Sequence, residues 1–227
     1  MRLAALLSGG KDSMYSMYKC MQEGHEIRYI ISFISENPDS YMFHTPNIDL
    51  VKEQAKLLGI KHIEIPTKGE KEKELDDIEA ALKSIAIEID GIVTGATAST
   101  YQKSRIDAIC ERLGIKSLAP LWQLPPEETL RNMINEKFEI FIVTVAAPPL
   151  DQEWVGRKVT HEVVDDLVKL NKNHGIHILF EGGEAESFVT DCPMFPKKIK
   201  IVESEKVWNN KLKHGILNIK KIKLIEK

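Results

Sequence analysis

A regular alternation of short apolar runs with amphipathic helical patterns constrains the fold of this chain more than any other feature. The runs cover residues 3–7, 27–34, 60–65 and 92–94, and the run at 60–65 alternates between apolar and polar residues. A helical pattern follows each run, and Gly24, Gly59 and Gly114 stand where three of these helices should end. Strands and helices that alternate in units of about 30 residues favour an α/β fold, a Rossmann-like parallel sheet wound with helices. The carboxyl ends of the strands would share one edge, where such sheets bind ligands.

The pattern changes after Trp122, which predicts two domains, residues 1–122 and residues 123–227. The second part should contain a helix opened by Pro125-Pro126, a strand at 139–145, a helix near 161–171 and a strand at 176–180. Its end, residues 197–227, carries ten lysines and three glutamates. We predict a solvated pair of β-strands there, with docking of an acidic macromolecule as the alternative. Together these elements predict a smaller α+β C-terminal domain.

Composition excludes several classes of protein. The formal net charge of −3 lacks the strong basic excess of a chain that wraps nucleic acid, so a nucleic-acid partner is disfavoured. The three cysteines, Cys20, Cys110 and Cys192, lie far apart, which argues against a disulfide framework or a structural zinc site. The apolar run before Ser8 is too short for a signal peptide or a membrane span. We therefore expect a cytoplasmic enzyme with no membrane partner, and a homodimer is one candidate for its oligomeric state.

Six residues join the first predicted strand to the first helix, and we call them the glycine loop: Ser8, Gly9, Gly10, Lys11, Asp12 and Ser13. The glycines let phosphate oxygens approach backbone N–H groups, and the helix N-terminus adds a favourable dipole. Lys11 can neutralise a phosphate, and Asp12 can hold Mg²⁺ beside it. The spacing matches neither a Walker A loop nor a dinucleotide-binding turn. The loop therefore predicts a phosphate site of another kind, and a plain glycine turn with a capping side chain is the alternative.

A second group of polar residues follows the predicted strand at 92–94. Gly95 stands at the end of that strand, where a side chain would obstruct a nucleotide lying over the sheet edge; an ordinary strand-to-helix glycine is the alternative. Ser99 is placed to cap the next helix. Tyr101, Gln102 and Arg105 can share one polar face of that helix. The guanidinium of such a face can bind a phosphate or a carboxylate, although on spacing alone a solvated helix face is the commoner meaning.

A third group, rich in acids, follows the predicted strand at 176–180: Glu181, Gly182, Gly183, Glu184 and Glu186. Three carboxylates repel one another unless a cation lies nearby, so a metal ion or a cationic substrate are both candidates. One carboxylate could also take a proton from ammonium. A surface turn with scattered acids is the alternative. His44, in the loop after the second predicted strand, could also reach the ligand edge of the sheet.

These three groups resemble the sequence motifs of one family. The glycine loop is similar to that of the N-type PP-loop ATP pyrophosphatases. Residues 95–105, continuing through 110–114 to 120–122, resemble the second motif of the diphthine–ammonia ligase family, and residues 181–187 resemble its C-terminal acidic-glycine motif. That family usually has Glu-Thr where this chain has Glu186-Ser187, and an aromatic residue in place of Ala185. The motifs span nearly the whole chain in the expected order.

The resemblance implies an adenine nucleotide alpha hydrolase-like fold and a ligase that forms a carbon–nitrogen bond. In that family ATP, with Mg²⁺, activates the carboxylate of diphthine on translation elongation factor 2 as an acyl-adenylate. Ammonia then displaces AMP to give diphthamide. The resemblance implies ATP binding by the glycine loop and Gly95, catalysis by Lys11 and Asp12, and a magnesium ligand in Asp12. It also implies contacts with the diphthine-bearing substrate for Tyr101, Gln102, Arg105, Glu181, Gly182, Gly183, Glu184 and Glu186. His44 is a further candidate for a substrate contact, on its position alone.

Two other functions compete with this interpretation. A PP-loop enzyme that modifies tRNA would suit the basic end of the chain, but three scattered cysteines do not supply the pairs or iron–sulfur cluster that thiolation usually needs. A non-catalytic ATP sensor could use the same sheet without producing AMP. A glutamine-dependent synthetase is disfavoured, because Met1-Arg2 supplies no N-terminal cysteine nucleophile. Free ammonia is therefore the expected nitrogen donor.

Overall fold

The computed structural model describes residues 1–36, 47–69 and 73–227. These residues form two compact units, Met1–Trp122 and Gln123–Lys227. Each unit has its own sheet.

The first unit is built on a five-stranded parallel sheet. Its strands are β1 (Arg2–Leu6), β2 (Glu26–Ser35), β3 (Lys61–Thr67), β4 (Gly91–Val93) and β5 (Lys116–Leu118), in the spatial order β3-β2-β1-β4-β5. The predicted wound parallel sheet is therefore confirmed. The sequence did not predict β5, because three half-exposed residues carry too little pattern to distinguish a strand from a loop.

Helices connect these strands. They are α1 (Lys11–Gln22), α2 (Val51–Leu58), α3 (Lys73–Ile85) and α4 (Thr100–Leu113), with short 3₁₀ turns at Ile48–Leu50 and Ala86–Glu88. Gly59 and Gly114 follow α2 and α4 in the left-handed conformation, as predicted for residues that end helices. Their backbone N–H groups bond back to the last turns.

Both faces of the parallel sheet are covered. On one face, Ile31 and Ile92 from the strands belong to one buried cluster with Ile78 and Leu82 from α3. None of these four side chains is more than 1% exposed. Residues alternate between faces along a strand, so Ile30 faces the other side, where it is also fully buried. Burial on both faces explains why β1, β2 and β4 read as nearly continuous apolar runs, whereas the partly exposed β3 alternates.

The strand order reverses between β1 and β4. From β1 the chain winds outward to β2 and β3, then crosses back and adds β4 and β5 on the other side of β1. Loops that leave two adjacent parallel strands in opposite directions open a crevice at their carboxyl ends. The glycine loop follows β1 and Gly95 follows β4, so the fold brings these two predicted site segments to the same place.

The second unit contains a four-stranded antiparallel sheet with two helices. Its elements are α5 (Pro126–Asn135), β6 (Glu139–Val145), α6 (His161–His174), β7 (Ala185–Asp191), β8 (Lys198–Asn209) and β9 (His214–Ile225), plus a 3₁₀ turn at Gln152–Trp154. The strand order is β7-β6-β9-β8. The predicted α+β character is confirmed, and the lysine-rich end forms the predicted pair of strands, β8 and β9.

The strand predicted at 176–180 is wrong. This segment forms consecutive turns, in which Phe180 N–H donates to the His177 carbonyl and Gly183 N–H to the Phe180 carbonyl. Its apolar side chains, Ile176, Ile178, Leu179 and Phe180, are buried in the core without pairing as a strand. Apolar residues in a buried turn and in a buried strand give the same sequence pattern, which is why the prediction failed. The acidic motif therefore leads into a strand, β7, with Glu186 on that strand, instead of following one.

The three cysteines are free and buried. Burial raises the pKa of the Cys20 and Cys110 thiols to about 11 and that of Cys192 to about 12. Thiols with such pKa values stay protonated at neutral pH, so they are poor nucleophiles and poor metal ligands. In the part of the chain that the structure describes, no helix combines the length and the apolar character needed to cross a membrane.

Core packing in the first unit predicts a measurable difference between two isoleucines. Ile78 is fully buried in the cluster with α3, whereas Ile87 is 91% exposed. Ile78→Ala should lower the free energy of unfolding by about 2–5 kcal/mol, because it removes buried methyl groups and leaves a cavity. The same substitution at Ile87 should change it by no more than about 0.5 kcal/mol. Urea unfolding of both variants measures the difference, and equal losses would contradict the packing described here.

Candidate functional site

The glycine loop wraps tightly around the start of α1. Gly9 has a φ of +80°, which favours glycine, and Gly10 is the residue before the helix. The hydroxyl groups of Ser8 and Ser13 lie 3.2 Å apart, and Ser8 N–H donates to Ser13 Oγ at 3.2 Å. Gly10 N–H donates to Ser8 Oγ at 3.4 Å. Amide groups at a helix N-terminus, ringed by hydroxyls, form a suitable site for an anion.

Lys11 and Asp12 form an ion pair in the first turn of α1. Lys11 Nζ lies 2.8 Å from Asp12 Oδ2, and the two side chains are 3% and 25% exposed. The positive end of the helix dipole favours the carboxylate at this position. A mostly desolvated ammonium group attracts a phosphate more strongly than one in water. The pair therefore places a cation and a carboxylate beside the amide groups of the loop.

The residues of the loop suit a magnesium ion that is bound jointly by the protein and by the phosphates of a nucleotide. Mg²⁺ in nucleotide sites usually takes one or two carboxylates and completes its shell with phosphate oxygens and water. Asp12 offers a partly exposed carboxylate at the loop, and its role as a magnesium ligand stays a prediction. In residues 1–36, 47–69 and 73–227, no group of three or more His, Cys, Asp or Glu side chains is placed to hold a metal ion.

Two polar side chains hold backbone carbonyl groups in or next to the glycine loop, and a third contacts one of them; the sequence did not point to any of the three. Gln54, on α2, donates from Nε2 to the Gly9 carbonyl at 3.1 Å. Ser32, on β2, donates to the Leu7 carbonyl at 2.8 Å and lies 3.0 Å from His62 Nε2, on β3. Gln54 and Ser32 are at most 1% exposed. In the sequence, each of these residues is a polar residue inside an apolar stripe or run. That pattern is too common in proteins to identify a functional residue by itself.

Gly95 is pressed against the first turn of α1. A Cβ atom at this position would lie 2.6 Å from the Ser13 backbone nitrogen and 2.9 Å from the Asp12 carbonyl carbon. Backbone atoms cannot move aside as a flexible side chain can, so only glycine fits. Gly95 was predicted from the space that a nucleotide needs at the sheet edge, and that reason stays a prediction. The structure adds a second reason, the close contact between the loop after β4 and α1.

Helix α4 presents two of the three predicted side chains as a pair. The Ser99 side chain accepts from Gln102 N–H at 3.4 Å, which confirms the predicted N-cap. The Arg105 guanidinium stacks on the Tyr101 ring, 3.5 Å from the ring centroid. Stacking fixes the plane of the guanidinium and leaves its edge to bind an oxyanion. The contact described for Gln102 is the bond from its backbone N–H to Ser99 at the start of the helix.

The acidic motif in the second unit is a turn closed by Glu184. Glu184 is only 8% exposed, and its Oε1 accepts from the backbone N–H of His177 at 2.7 Å. A Cβ at Gly182 would lie 2.6 Å from that oxygen, so the carboxylate folds over the glycine, and Gly183 turns the chain with a φ of +78°. Glu184 Oε2 is also buried and has no hydrogen-bond partner within the described residues. A buried carboxylate oxygen of this kind suits a ligand that donates a hydrogen bond or carries positive charge.

The other two acids of the motif have different environments. Glu186 Oε2 accepts from Thr144 Oγ1, on the neighbouring strand, at 3.0 Å. Glu181 is half-buried in the turn. The three carboxylates are therefore not a shared metal centre within the described residues. His44 falls in residues 37–46, outside the residues that the structure describes.

The sequence of each unit matches a known protein domain. Residues 1–117 match the diphthamide synthase N-terminal domain, and residues 125–225 match the diphthamide synthase C-terminal domain. The chain belongs to the diphthamide synthase family. The predicted family is therefore confirmed, and with it the prediction of a carbon–nitrogen ligase. A ligase couples bond formation to cleavage of a nucleotide, so family membership also implies the use of ATP.

Several relatives are named diphthine–ammonia ligase. The protein from Rattus norvegicus is 38% identical over 91% of this chain and 85% of its own length. The protein from Homo sapiens is 36% identical with the same coverage, and that from Danio rerio is 34% identical over 91% of this chain and 89% of its own length. A solved structure from Methanocaldococcus jannaschii, named as a predicted subunit of tRNA methyltransferase, aligns with a TM-score of 0.45 at 19% identity, over 85% of this chain and 98% of that chain. At that TM-score the structural likeness supports no conclusion.

The environment of His62 predicts how the stability of the protein depends on pH. Its side chain is 12% exposed, and burial lowers its pKa from the ordinary value, partly opposed by Glu64 at 3.7 Å. Because the folded state favours the neutral imidazole, its contribution to stability is present above the unfolded-state pKa of about 6.5 and is lost as pH falls through the folded-state pKa. His62→Gln should therefore lose less stability than the unchanged protein between about pH 8 and about pH 5.

Urea unfolding of both proteins across that range measures the effect. The comparison at about pH 8, where His62 is neutral in both states, gives the effect of the substitution apart from protonation. Equal losses of stability on acidification would contradict the role given to His62.

Proposed function

We propose that this protein amidates diphthine on translation elongation factor 2 with ammonia, using ATP and releasing AMP and pyrophosphate. The observation that carries the proposal is the glycine loop at the point where the strand order reverses, with Lys11 and Asp12 paired at the start of α1. The diphthine–ammonia ligase name of the relatives supports the substrate and the nitrogen donor. A cytoplasmic location belongs to the same proposal and is supported by three free thiols. A homodimer stays a prediction.

In the proposed first step, a carboxylate oxygen of diphthine attacks the α-phosphorus of ATP. The bond between that phosphorus and the bridging oxygen to the β-phosphorus breaks, which releases pyrophosphate and leaves an acyl-adenylate. Negative charge develops on the departing oxygens, where the amide groups of the glycine loop and the Lys11 ammonium would stabilise it. Asp12 would hold Mg²⁺, which when bound would neutralise charge on the phosphates. Gly95 would keep the loop after β4 close to the start of α1.

In the proposed second step, ammonia attacks the acyl carbon. The carbon–oxygen bond to AMP breaks, one proton leaves the nitrogen, and the amide forms. Ammonium must lose a proton before it can attack, and a carboxylate of the acidic motif is suited to accept it. We assign the cationic part of diphthine to Glu181, Glu184 and Glu186 and the turn glycines Gly182 and Gly183. The buried oxygen of Glu184 supports this assignment.

Tyr101, Gln102 and Arg105 are proposed to hold the carboxylate that becomes adenylated. The stacked guanidinium of Arg105 supports this role, since a fixed planar fork matches the two oxygens of a carboxylate. His44 stays a prediction as a substrate contact.

The proposal is tested by mass spectrometry of elongation factor 2 that bears diphthine. The factor is incubated with this protein, ATP, Mg²⁺ and ¹⁵N-ammonium, and AMP and pyrophosphate are measured in the same reaction. Conversion of the acid to a ¹⁵N-amide, matched mole for mole by AMP, is the expected result. AMP without amide would refute this acceptor and favour another, with tRNA the first to try. If neither AMP nor amide forms, the result would favour the ATP sensor.

The role proposed for Asp12 predicts a loss of chemistry without a loss of fold. Asp12→Asn keeps the shape of the side chain but removes the charge that would hold Mg²⁺. AMP formation should fall about 100-fold or more, as expected when a group that stabilises transition-state charge is lost. Quenched-flow measurement of AMP gives the rate, and circular dichroism reports the fold. Asp49→Asn, at an exposed position near α2, is the control and should keep full activity. Full activity of Asp12→Asn would remove Asp12 from the mechanism.

The role proposed for Glu184 predicts weaker binding of the protein substrate with no change in ATP binding. Glu184→Gln keeps an oxygen for the His177 N–H but removes the charge. We expect the KM for diphthine-bearing factor to rise about tenfold or more, the typical effect of losing an interaction with a charged group. The Kd for ATP, measured by calorimetry, should stay unchanged. Glu203→Gln, exposed on β8, is the control and should change neither. Equal weakening of ATP and substrate binding by Glu184→Gln would show that the acidic motif belongs to a different site.

A further inference from the structure

The carbonyl groups of Gly9, in the glycine loop, and of Leu7, the residue before the loop, each accept a hydrogen bond from a buried side chain that no predicted motif contains. Gln54 Nε2 donates to the Gly9 carbonyl at 3.1 Å, and Ser32 Oγ donates to the Leu7 carbonyl at 2.8 Å. Gln54 is fully buried and Ser32 is 1% exposed. Donors placed this deep, on α2 and β2, have a fixed position relative to the sheet.

The planarity of the peptide bond turns these two bonds into a constraint on the N–H groups. In a trans peptide, the C=O of one residue and the N–H of the next point in opposite directions. With the Gly9 carbonyl directed to Gln54, Gly10 N–H must point the other way, and it is found on the side of Ser8 Oγ, 3.4 Å away. In the Leu7–Ser8 peptide, the carbonyl likewise points to Ser32 and the Ser8 N–H points away from it, to Ser13 Oγ at 3.2 Å.

The Gly9–Gly10 peptide is the one in the loop that most needs such a restraint. Glycine residues on both sides allow the peptide plane to rotate with little steric resistance. A half-turn would exchange the N–H for the carbonyl oxygen, which repels phosphate. The same two glycines that permit close approach of a phosphate therefore also permit the wrong orientation.

We infer that Gln54 is a positioning residue that fixes the Gly9–Gly10 peptide with its N–H toward the nucleotide phosphates. The inference deepens the proposed function, since it rests on the glycine loop being the ATP site. Ser32 acts in the same way on the preceding Leu7–Ser8 peptide.

The test compares ATP binding by calorimetry in three proteins: the unchanged chain, Gln54→Leu and Ala55→Gly. Gln54→Leu removes the donor while keeping a buried side chain of similar size, and we expect the Kd for ATP to rise about tenfold. Ala55 is the next buried residue of α2, so Ala55→Gly weakens the same helix and leaves the bond to Gly9 in place. Its Kd for ATP should stay within about twofold, although its melting temperature falls.

A second measurement follows the peptide itself. In ¹⁵N-labelled protein, titration with ATP should shift the Gly10 amide resonance strongly in the unchanged chain and weakly in Gln54→Leu. If Gln54→Leu lowers the folded fraction, Gln54→Met replaces it, since methionine has the length and flexibility of glutamine but no N–H donor.

Wild-type affinity of the Gln54 variant for ATP, or equal weakening by Ala55→Gly, would overturn the inference. These outcomes are separate from a failure of the proposed amidation, because they are read from ATP binding and need no acceptor. A chain that binds ATP as described but amidates nothing would refute the proposed function and leave the role of Gln54 standing.

Discussion

The close approach of Gly95 to the first turn of α1 is the contact on which the candidate site depends. It joins the loop after β4 to the helix that begins after β1, at the point where the strand order reverses. Any side chain at residue 95 would push these two segments apart, since the atoms it would meet are backbone. The amide groups, Lys11 and Asp12 are therefore held in place by the sheet and not by the loop alone. A site built on a rigid scaffold in this way keeps its geometry when a ligand enters.

Much of the first unit could be predicted from the sequence because its strands and helices differ in pattern. A nearly continuous apolar run predicted β2, alternation predicted β3, and Met14 and Met17, three residues apart, predicted the buried face of α1. The glycine loop was found because its residue types have a specific chemistry at a specific place, between a strand and a helix. Its function as the ATP site stays a proposal, supported by family membership and by its position in the fold.

The failures have physical causes that a single sequence does not reveal. The segment 176–180 is apolar because it is buried, and burial alone does not distinguish a turn from a strand. Gln54 and Ser32 were missed because their importance lies in what they contact, the carbonyl groups of residues far away in sequence. Gly95 was predicted from the space that a nucleotide needs, whereas its close contact with the backbone of α1 could not be predicted. Long-range contacts thus define the part of the site that the motifs do not.

The central claim is that a carboxylate of the substrate attacks the α-phosphorus of ATP, and oxygen labelling tests it most directly. Diphthine on the elongation factor is labelled with ¹⁸O in both carboxylate oxygens, and the products of a single turnover with ATP and ammonia are analysed by mass spectrometry. An acyl-adenylate requires one ¹⁸O atom in AMP, the other in the amide and none in pyrophosphate. Unlabelled AMP, or label in pyrophosphate or inorganic phosphate, would contradict the account.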